Sequence, residues 1–243
     1  MRKIFIHILL LLFFVDMGAQ TNSYKIAQED FNWGFRVGFN SKNANFHEIY
    51  QNGEETDRTK VTNQIGFQGT IFGRVNAGAF FVQPEVCYDF GREKYEFSIL
   101  LNPYIEDVPE EEFKEPIFQD VIMNQKSLSI NAAVLIGYNI VKYDSFLFNL
   151  YFGPNLRYNY SNKYNDLSTR NTFTDHTSYP KLNLLTGISA NSFRVHFDFR
   201  YEINVPSKIN FYFSDINSCP EYLKNISIKK NENILSFSIG IMF

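Results

Sequence analysis

One short stretch of the chain carries an ionisable side chain at every second position, with apolar side chains between them. The ionisable positions are Arg194, His196, Asp198, Arg200 and Glu202. A period of two places alternate side chains on opposite faces of a β-strand, so all five share one face. Cations and anions on one buried face can neutralise each other as ion pairs, and His196 beside Asp198 could also support acid–base chemistry.

An enzymatic role for His196 has little support in the rest of the sequence. A catalytic histidine works with a nucleophile or a metal, and the opposite face of this stretch offers only apolar and aromatic residues. The sequence contains no HExxH, GxSxG or P-loop motif and no Cys/His metal spacing. We therefore expect no catalytic residues, no metal and no cofactor.

The same alternation occurs in seven further segments. The clearest runs from Phe31 to Asn40, where five aromatic or aliphatic residues alternate with five glycine, amide or arginine residues. About ten residues is the length that a tilted strand needs to cross a bilayer. The other six cover approximately 61–75, 80–90, 127–138, 146–160, 181–190 and 235–243, and the charged stretch itself extends over 193–204.

Short and long connections alternate between these segments. The short ones lie around 76–78, 142–144 and 191–192, as in hairpin turns. Long polar segments at 41–60, 91–126, 161–180 and 205–231 are interpreted as loops. This layout predicts an all-β fold, an eight-stranded antiparallel up-and-down transmembrane β-barrel with short periplasmic turns and long extracellular loops.

The N-terminus has the pattern of a secretory signal peptide. Arg2 and Lys3 precede an apolar stretch that ends in small residues near Ala19. The apolar stretch is about a dozen residues long, shorter than the ~20 that a membrane-spanning helix needs. We therefore predict a signal peptide over residues 1–20 and one barrel domain over residues 21–243.

Composition agrees with an exported β-protein. The 26 Phe and 15 Tyr residues favour half-buried strands, and a net charge of −3 gives no reason to expect a nucleic-acid partner. Two cysteines, Cys87 and Cys219, are too few for a disulfide scaffold. Export permits a bridge between them, but the pairing geometry is demanding, and the sequence leaves the pairing open.

The polar faces of the strands predict how the interior of the barrel is filled. An eight-stranded barrel has an interior just wide enough for side chains. We predict a structural ion-pair network formed by Arg36, Glu85, Asp89, Arg157, Arg194, His196, Asp198, Arg200 and Glu202, with Arg74 as a further inward cation. The alternative is a narrow gated channel in which Glu85 and an arginine of the segment 193–204 exchange partners.

Two further elements are candidates for interactions. The C-terminal strand places Phe237, Ile239, Ile241 and Phe243 on one face, predicted to contact lipid, and we expect loss of Phe243 to impair insertion. The second and fourth loops are the predicted surface for a protein partner. The second loop contains the acidic residues Glu106, Asp107, Glu110, Glu111, Glu112 and Glu115, without calcium-loop spacing.

Several short motifs point to one family. They are the strand segment Gln83-Pro84-Glu85, the pair Gly153-Pro154 and the segment Asp198-Phe199-Arg200-Tyr201. Together they resemble the PorT-like outer-membrane β-barrel family of Bacteroidota, over essentially all of the chain after the signal peptide. The resemblance implies an outer-membrane location among its lipids, insertion by the barrel-assembly machinery, and for some members a link to protein secretion.

A soluble, exported lipocalin-like carrier is the other interpretation at the level of the fold, because lipocalins are also eight-stranded barrels. A lipocalin would turn its apolar face inward around a ligand. The segment 193–204 instead sets charges of both signs against an almost wholly aromatic and aliphatic face, and the last residue is Phe243. These features favour the membrane barrel.

Overall fold

The structure is a computed structural model that describes residues 30–56, 60–100, 118–175, 180–205, 209–216 and 219–243. The predicted signal peptide and the acidic segment at 106–115 lie outside the described residues. None of the described residues belongs to a helix that is long and apolar enough to cross a membrane.

The described chain consists of strands and two short 3-10 helices. The helices are Phe213–Asp215 and Glu221–Leu223. The strands are β1 (Phe31–Gln51), β2 (Glu54–Glu55), β3 (Lys60–Ala77), β4 (Phe80–Leu100), β5 (Phe118–Tyr143), β6 (Phe146–Asp166), β7 (Thr172–Asp175), β8 (Pro180–Ser192), β9 (Val195–Asn204), β10 (Ile209–Tyr212) and β11 (Ile226–Met242).

Eight of these strands close into a ring. Their order is β1, β3, β4, β5, β6, β8, β9 and β11, and each pairs antiparallel with the next. The ring closes because β11 pairs with β1, with Val37 opposite Ile239. The short strands β2, β7 and β10 pair antiparallel with β1, β6 and β11, respectively. They lie at the end of the barrel that carries the long connections. The predicted eight-stranded antiparallel barrel is confirmed.

Near the short turns, the two faces of each strand have the predicted polarity. On β4, Val82, Val86 and Tyr88 are exposed on the outside. Their neighbours Glu85 and Asp89 are buried inside. An apolar outer band around a polar interior is the arrangement that a lipid bilayer requires of a barrel.

The strands are longer than the sequence predicted. β4 continues to Leu100 instead of ending near Phe90, and β5 begins at Phe118 instead of near Ser127. β1, β6 and β11 also extend into segments for which the sequence predicts loops. The loop predictions for 41–51, 91–100, 118–126, 161–166 and 226–231 were therefore wrong.

The predicted strands end too early for a physical reason. The alternation continues along each strand, but the polarity of its two faces reverses. Beyond Phe90 on β4, the inward side chains Tyr95 and Phe97 are apolar and buried. The outward ones, Arg92 and Lys94, are cationic and half-exposed. This polarity is that of a water-soluble barrel, so the extension stands outside the bilayer.

The extension encloses an apolar cluster that we call the outer core. Its members are Ile49, Tyr95, Phe97, Ile99, Val121, Met123, Tyr164, Phe173, Phe213, Ile216, Cys219, Leu223, Ile226 and Ile228. The connection between β10 and β11 folds inward through the two 3-10 helices and buries Phe213, Ile216 and Leu223. Each large apolar side chain buried in this way stabilises the fold by about 1.5–3 kcal/mol. The fourth predicted loop is thus partly a plug.

The C-terminus closes the opposite end of the ring. The backbone N–H of Trp33 donates to the carbonyl of Phe243 at 3.0 Å, and the N–H of Phe243 donates to the carbonyl of Trp33 at 2.7 Å. The two rings stack with their centroids 4.9 Å apart. Phe243 therefore joins the first strand to the last.

Deletion of Phe243 should slow insertion of the barrel into lipid vesicles, because it removes both backbone hydrogen bonds and the stacked ring at the seam. The measurement is a time course of the heat-modifiable band on a gel. Phe237→Ala is the control, since Phe237 is exposed on the same strand but makes neither contact with Trp33. Equal insertion rates for the two variants would contradict the role assigned to the seam.

Candidate functional site

The charged interior is organised around Glu85, an inward residue of β4. Its carboxylate accepts hydrogen bonds from Arg36 Nη2 at 2.7 Å and from Arg200 Nη1 at 2.6 Å. Gln83 Nε2 donates a third hydrogen bond at 3.0 Å. Glu85 and both arginines are buried, so one carboxylate links three strands of the ring: β1, β4 and β9.

Asp198 is the second carboxylate of this group. It accepts hydrogen bonds from Arg200 Nε and from Tyr151 Oη, each at 2.7 Å. Arg36 Nε and His196 Nε2 lie further away, at 3.8 and 3.7 Å from its two oxygens. Arg200 thus bridges Glu85 and Asp198 with two different nitrogens.

A second group lies beside the first. Arg157 donates from Nε and Nη2 to the two oxygens of Glu202, at 3.0 and 2.9 Å. Its Nη2 also lies 3.4 Å from Asp89, and its Nη1 donates to Ser129 at 3.1 Å. Asn183 donates a further short hydrogen bond to Glu202. The two parallel hydrogen bonds between Arg157 and Glu202 form a bidentate pair, the strong form of an arginine–carboxylate contact.

A third group lies towards the outer core. Lys42 donates to Ser127 at 2.9 Å and lies 4.0 Å from both Glu93 and Glu232. Lys181 lies 3.7 Å from Glu232. Sequence reasoning missed Lys42, Glu93 and Glu232 because it ended the strands too early. Extending the period of two by one step beyond Asn40 would have placed Lys42 inside.

Arg74 joins the network through an amide. Its Nε donates to Gln83 Oε1 at 2.9 Å, and Gln83 in turn donates to Glu85. The guanidinium of Arg74 also lies 4.1 Å from the centroid of the Phe81 ring. Among the described residues, no carboxylate lies within ion-pair distance of Arg74.

His196 is surrounded by residues that suit a structural role. Its Nδ1 lies 3.0 Å from the side-chain nitrogen of Asn191, and its ring lies 5.1 Å from that of Phe72. Asp198 is its charged neighbour, and the side chain is fully buried. Over the described ranges, no group of three or more His, Cys, Asp and Glu side chains is arranged to hold a metal ion.

The assignment of Arg194 to the interior is corrected by the structure. Strand β9 begins at Val195, so Arg194 belongs to the preceding turn, in which Phe193 has a positive φ of 52°. The guanidinium of Arg194 lies 5.6 Å from the centroid of the Phe243 ring. The alternation of residue types does not mark the end of a strand, and this turn preserves the apolar–polar order by coincidence.

The two cysteines occupy different parts of the barrel. Cys87 is an inward residue of β4 among the ion pairs, and Cys219 is a member of the outer core. Both are free thiols.

Apolar residues also close the interior near the short turns. One cluster contains Phe72, Leu147 and Met242. A second contains Phe81, Ala133, Leu135, Tyr151 and Leu185. The described interior is therefore layered, with apolar side chains at both ends and buried polar and charged groups between them.

A hydrogen-bond cluster on the outer side attaches the plug to the ring. Tyr222 Oη donates a short hydrogen bond to Asp166, and it lies 2.9 Å from Thr169 Oγ1. Asp166 also accepts from the backbone N–H of Ser168 at 2.8 Å. Burial, together with the hydrogen bond to Asp166, raises the pKa of Tyr222 to about 12.

A family model and a solved structure agree with this architecture. A family model described as an outer membrane protein beta-barrel domain matches residues 19–213. The crystal structure of the outer membrane protein OprG from Pseudomonas aeruginosa is similar with a TM-score of 0.51 and 12% identity, over 87% of this chain and 95% of that chain. Neisserial surface protein A gives a TM-score of 0.35 and 13% identity, over 86% and 96%. A search of curated protein sequences found no match.

Glu85→Gln should destabilise the barrel by about 3 kcal/mol or more, because it leaves two buried arginines without their shared carboxylate. Unfolding from lipid vesicles in urea measures the change. Glu96→Gln is the control, since Glu96 pairs with Lys94 at 2.6 Å on the half-exposed outer surface, where a pair contributes about 1 kcal/mol or less. Equal losses in the two variants would contradict the central role of Glu85.

Tyr222→Phe should lower the melting temperature of the barrel in a pH-dependent manner. An ordinary tyrosine has a pKa of about 10, and the pKa of Tyr222 is raised. Its contribution to stability is therefore fully present below about pH 10 and is lost as the pH rises towards 12. The difference in melting temperature between the parent and the variant, followed from pH 8 to 12, should shrink above pH 10. A constant difference would exclude the hydrogen bond to Asp166 as its cause.

Proposed function

We propose that this chain, a member of the family of outer membrane protein beta-barrel domains, is an anchor in the outer membrane. We call it a filled anchor because its own side chains occupy the interior of the barrel. In this role the barrel holds an extracellular surface in place for a protein partner. The resemblance to the PorT-like family favours a process of protein secretion or surface assembly for that partnership.

The observation that carries the proposal is the occupied interior. Arg200 reaches across from β9 to Glu85 on β4, two strands that are not neighbours in the ring. The outer core covers the same interior from the extracellular side with Phe213, Ile216 and Leu223. An interior that is filled at several levels supports an anchor and opposes passage of solutes.

The buried surroundings of His196 support a non-catalytic role. The ring lies inside the barrel against Phe72 and Asn191, away from any surface that a lipid or a peptide could reach. Its carboxylate neighbour Asp198 is already engaged by Arg200 and Tyr151.

The acidic segment is the proposed contact surface. It connects β4 to β5. Leu100, where β4 ends, lies opposite Phe118, where β5 begins, at the extracellular end. Between them the sequence has six acidic residues within 106–115 and one nearby cation, Lys114. A partner with a basic surface fits this charge.

The test changes the five Glu residues of the segment to Gln and Asp107 to Asn. It then compares the proteins that copurify with the parent and with the variant from native membranes after mild crosslinking. Recovery of a specific partner should fall about tenfold or more, as expected when 1.4 kcal/mol or more of binding free energy is lost. The control changes Glu54 and Glu55 to Gln, because these exposed acids lie on β2 at the same end of the barrel. Unchanged recovery would exclude the segment as the contact surface.

The same proteins, recorded in planar bilayers, test the second candidate function, the gated channel. The anchor predicts a flat current trace for the parent and for both variants. Stepwise conductance in the parent would replace the anchor with the channel.

A further inference from the structure

Three cations lie side by side on the outer face of the barrel. Arg92 on β4 lies opposite Lys126 on β5, and Lys126 lies opposite Lys163 on β6. Lys126 and Lys163 are exposed and Arg92 is half-exposed, whereas the residues on either side of each in the chain are buried. All three side chains therefore point outward. We call Arg92, Lys126 and Lys163 the cation row.

Like charges lie next to each other in the row, and the described neighbours bring no opposite charge. Side chains directly opposite each other on neighbouring antiparallel strands have their Cβ atoms about 5 Å apart, and like charges there are destabilising. The next positions at the same level are Gln64 on β3 and Thr174 on β7, both uncharged. Among the described residues, none forms an ion pair with the cation row.

The contrast with the next outward position is informative. Lys94 lies two residues beyond Arg92 on the same strand and face, and its ammonium group is 2.6 Å from Glu96. The chain thus supplies a carboxylate to the cation that stands further from the membrane. The cation row, nearer the membrane, has no carboxylate partner in the part of the chain that the structure describes.

The row lies at the level of lipid headgroups. Directly beneath it on β4 and β5 are Phe90 and Leu128, the last outward members of the apolar band. On β6, Ser161 lies opposite Leu128, and Tyr160 occupies the register shift next to it. The hydroxyl groups of Tyr160 and Tyr88 are 2.9 Å apart. Aromatic girdles of this kind mark the boundary between hydrocarbon and headgroups.

Arg92 is held close to this boundary. Its guanidinium lies 4.8 Å from the centroid of the Phe90 ring, and its buried Nε has no hydrogen-bond acceptor among the described residues. An arginine placed this way presents donors at headgroup level, where phosphate oxygens are the matching acceptors.

The feature is confined to one side of the barrel. On β9 the outward positions continue as Tyr201, Ile203 and Val205, and on β11 the first outward position beyond Leu235 is Asn233. The inward-facing Lys181 of β8 is already paired with Glu232. On these described strands the outward positions at this level carry no cation, so the cation row is a local feature of β4, β5 and β6.

We propose that the cation row binds the phosphate groups of a phosphorylated lipid in the outer leaflet. Charge complementarity and the continuity of the row with the lipid-facing girdle select this occupant. The acyl chains of the lipid lie along the apolar band below Phe90 and Leu128, while its phosphates take the place of the missing carboxylates. The site requires the barrel in its membrane but no protein partner, so its test is independent of the anchor function.

The experiment measures binding of a lipid A that carries two phosphates to the full-length mature barrel in nanodiscs, by native mass spectrometry. The test variant is R92Q/K126Q/K163Q. The control, K60Q/K142Q/R170Q, removes the same charge from exposed positions outside the row. We expect about fivefold weaker binding for each cation removed from the row, and parental affinity for the control. K126Q alone, at an exposed position, should show the fivefold loss if the triple variant folds poorly.

Three outcomes would overturn the proposal. Equal affinity of the parent and the row variants would assign the row to another anionic partner, such as an acidic protein. Equal binding of the same lipid after removal of its phosphates would show that the acyl chains alone account for the affinity. Displacement of the lipid by inorganic pyrophosphate at an equal concentration would show a site for free phosphate.

Discussion

The buried charges inside the barrel centre on the bridge that Arg200 makes between Glu85 and Asp198. An eight-stranded ring is narrow enough for arginine and glutamate side chains to meet near its axis, and only long side chains can do so. Arg36 enters the same group from β1, and so contacts cross the ring in several directions. Each of these buried charges would be costly alone, so the loss of one member leaves its partners uncompensated.

The closed ring was predictable because the period of two is set by strand geometry and does not depend on the rest of the fold. The lengths of the strands were not predictable from the apolar face alone. On β4 the apolar residues move from the outer face to the inner face between Phe90 and Tyr95 while the strand continues. A rule that follows only outward apolar residues reads this exchange as the end of the strand. The missing signal was the inward series Tyr95, Phe97 and Ile99.

The alternation along each strand predicts which side chains point inward. It does not predict which of them form ion pairs with each other. Arg200 and Glu85 are 115 positions apart, and Arg36 and Glu85 are 49 apart. Which pairs meet depends on the stagger between strands, and the sequence of a single strand contains no information about that stagger. The cation row is hidden for the same reason, because Arg92, Lys126 and Lys163 become neighbours only in the observed register.

The reversal of polarity along the strands has a consequence for the order of assembly. The outward face of the extension is polar and its inward face is apolar, so this half of the barrel is stable only in water. Its strand segments must therefore cross the bilayer before Phe213, Ile216 and Leu223 can pack between them. Once that packing is complete, the extension has a polar outer surface, and moving it back through the hydrocarbon would require the outer core to unfold first. The outer core thus forms only after its strands have crossed the membrane, and it then keeps the inserted barrel from moving back.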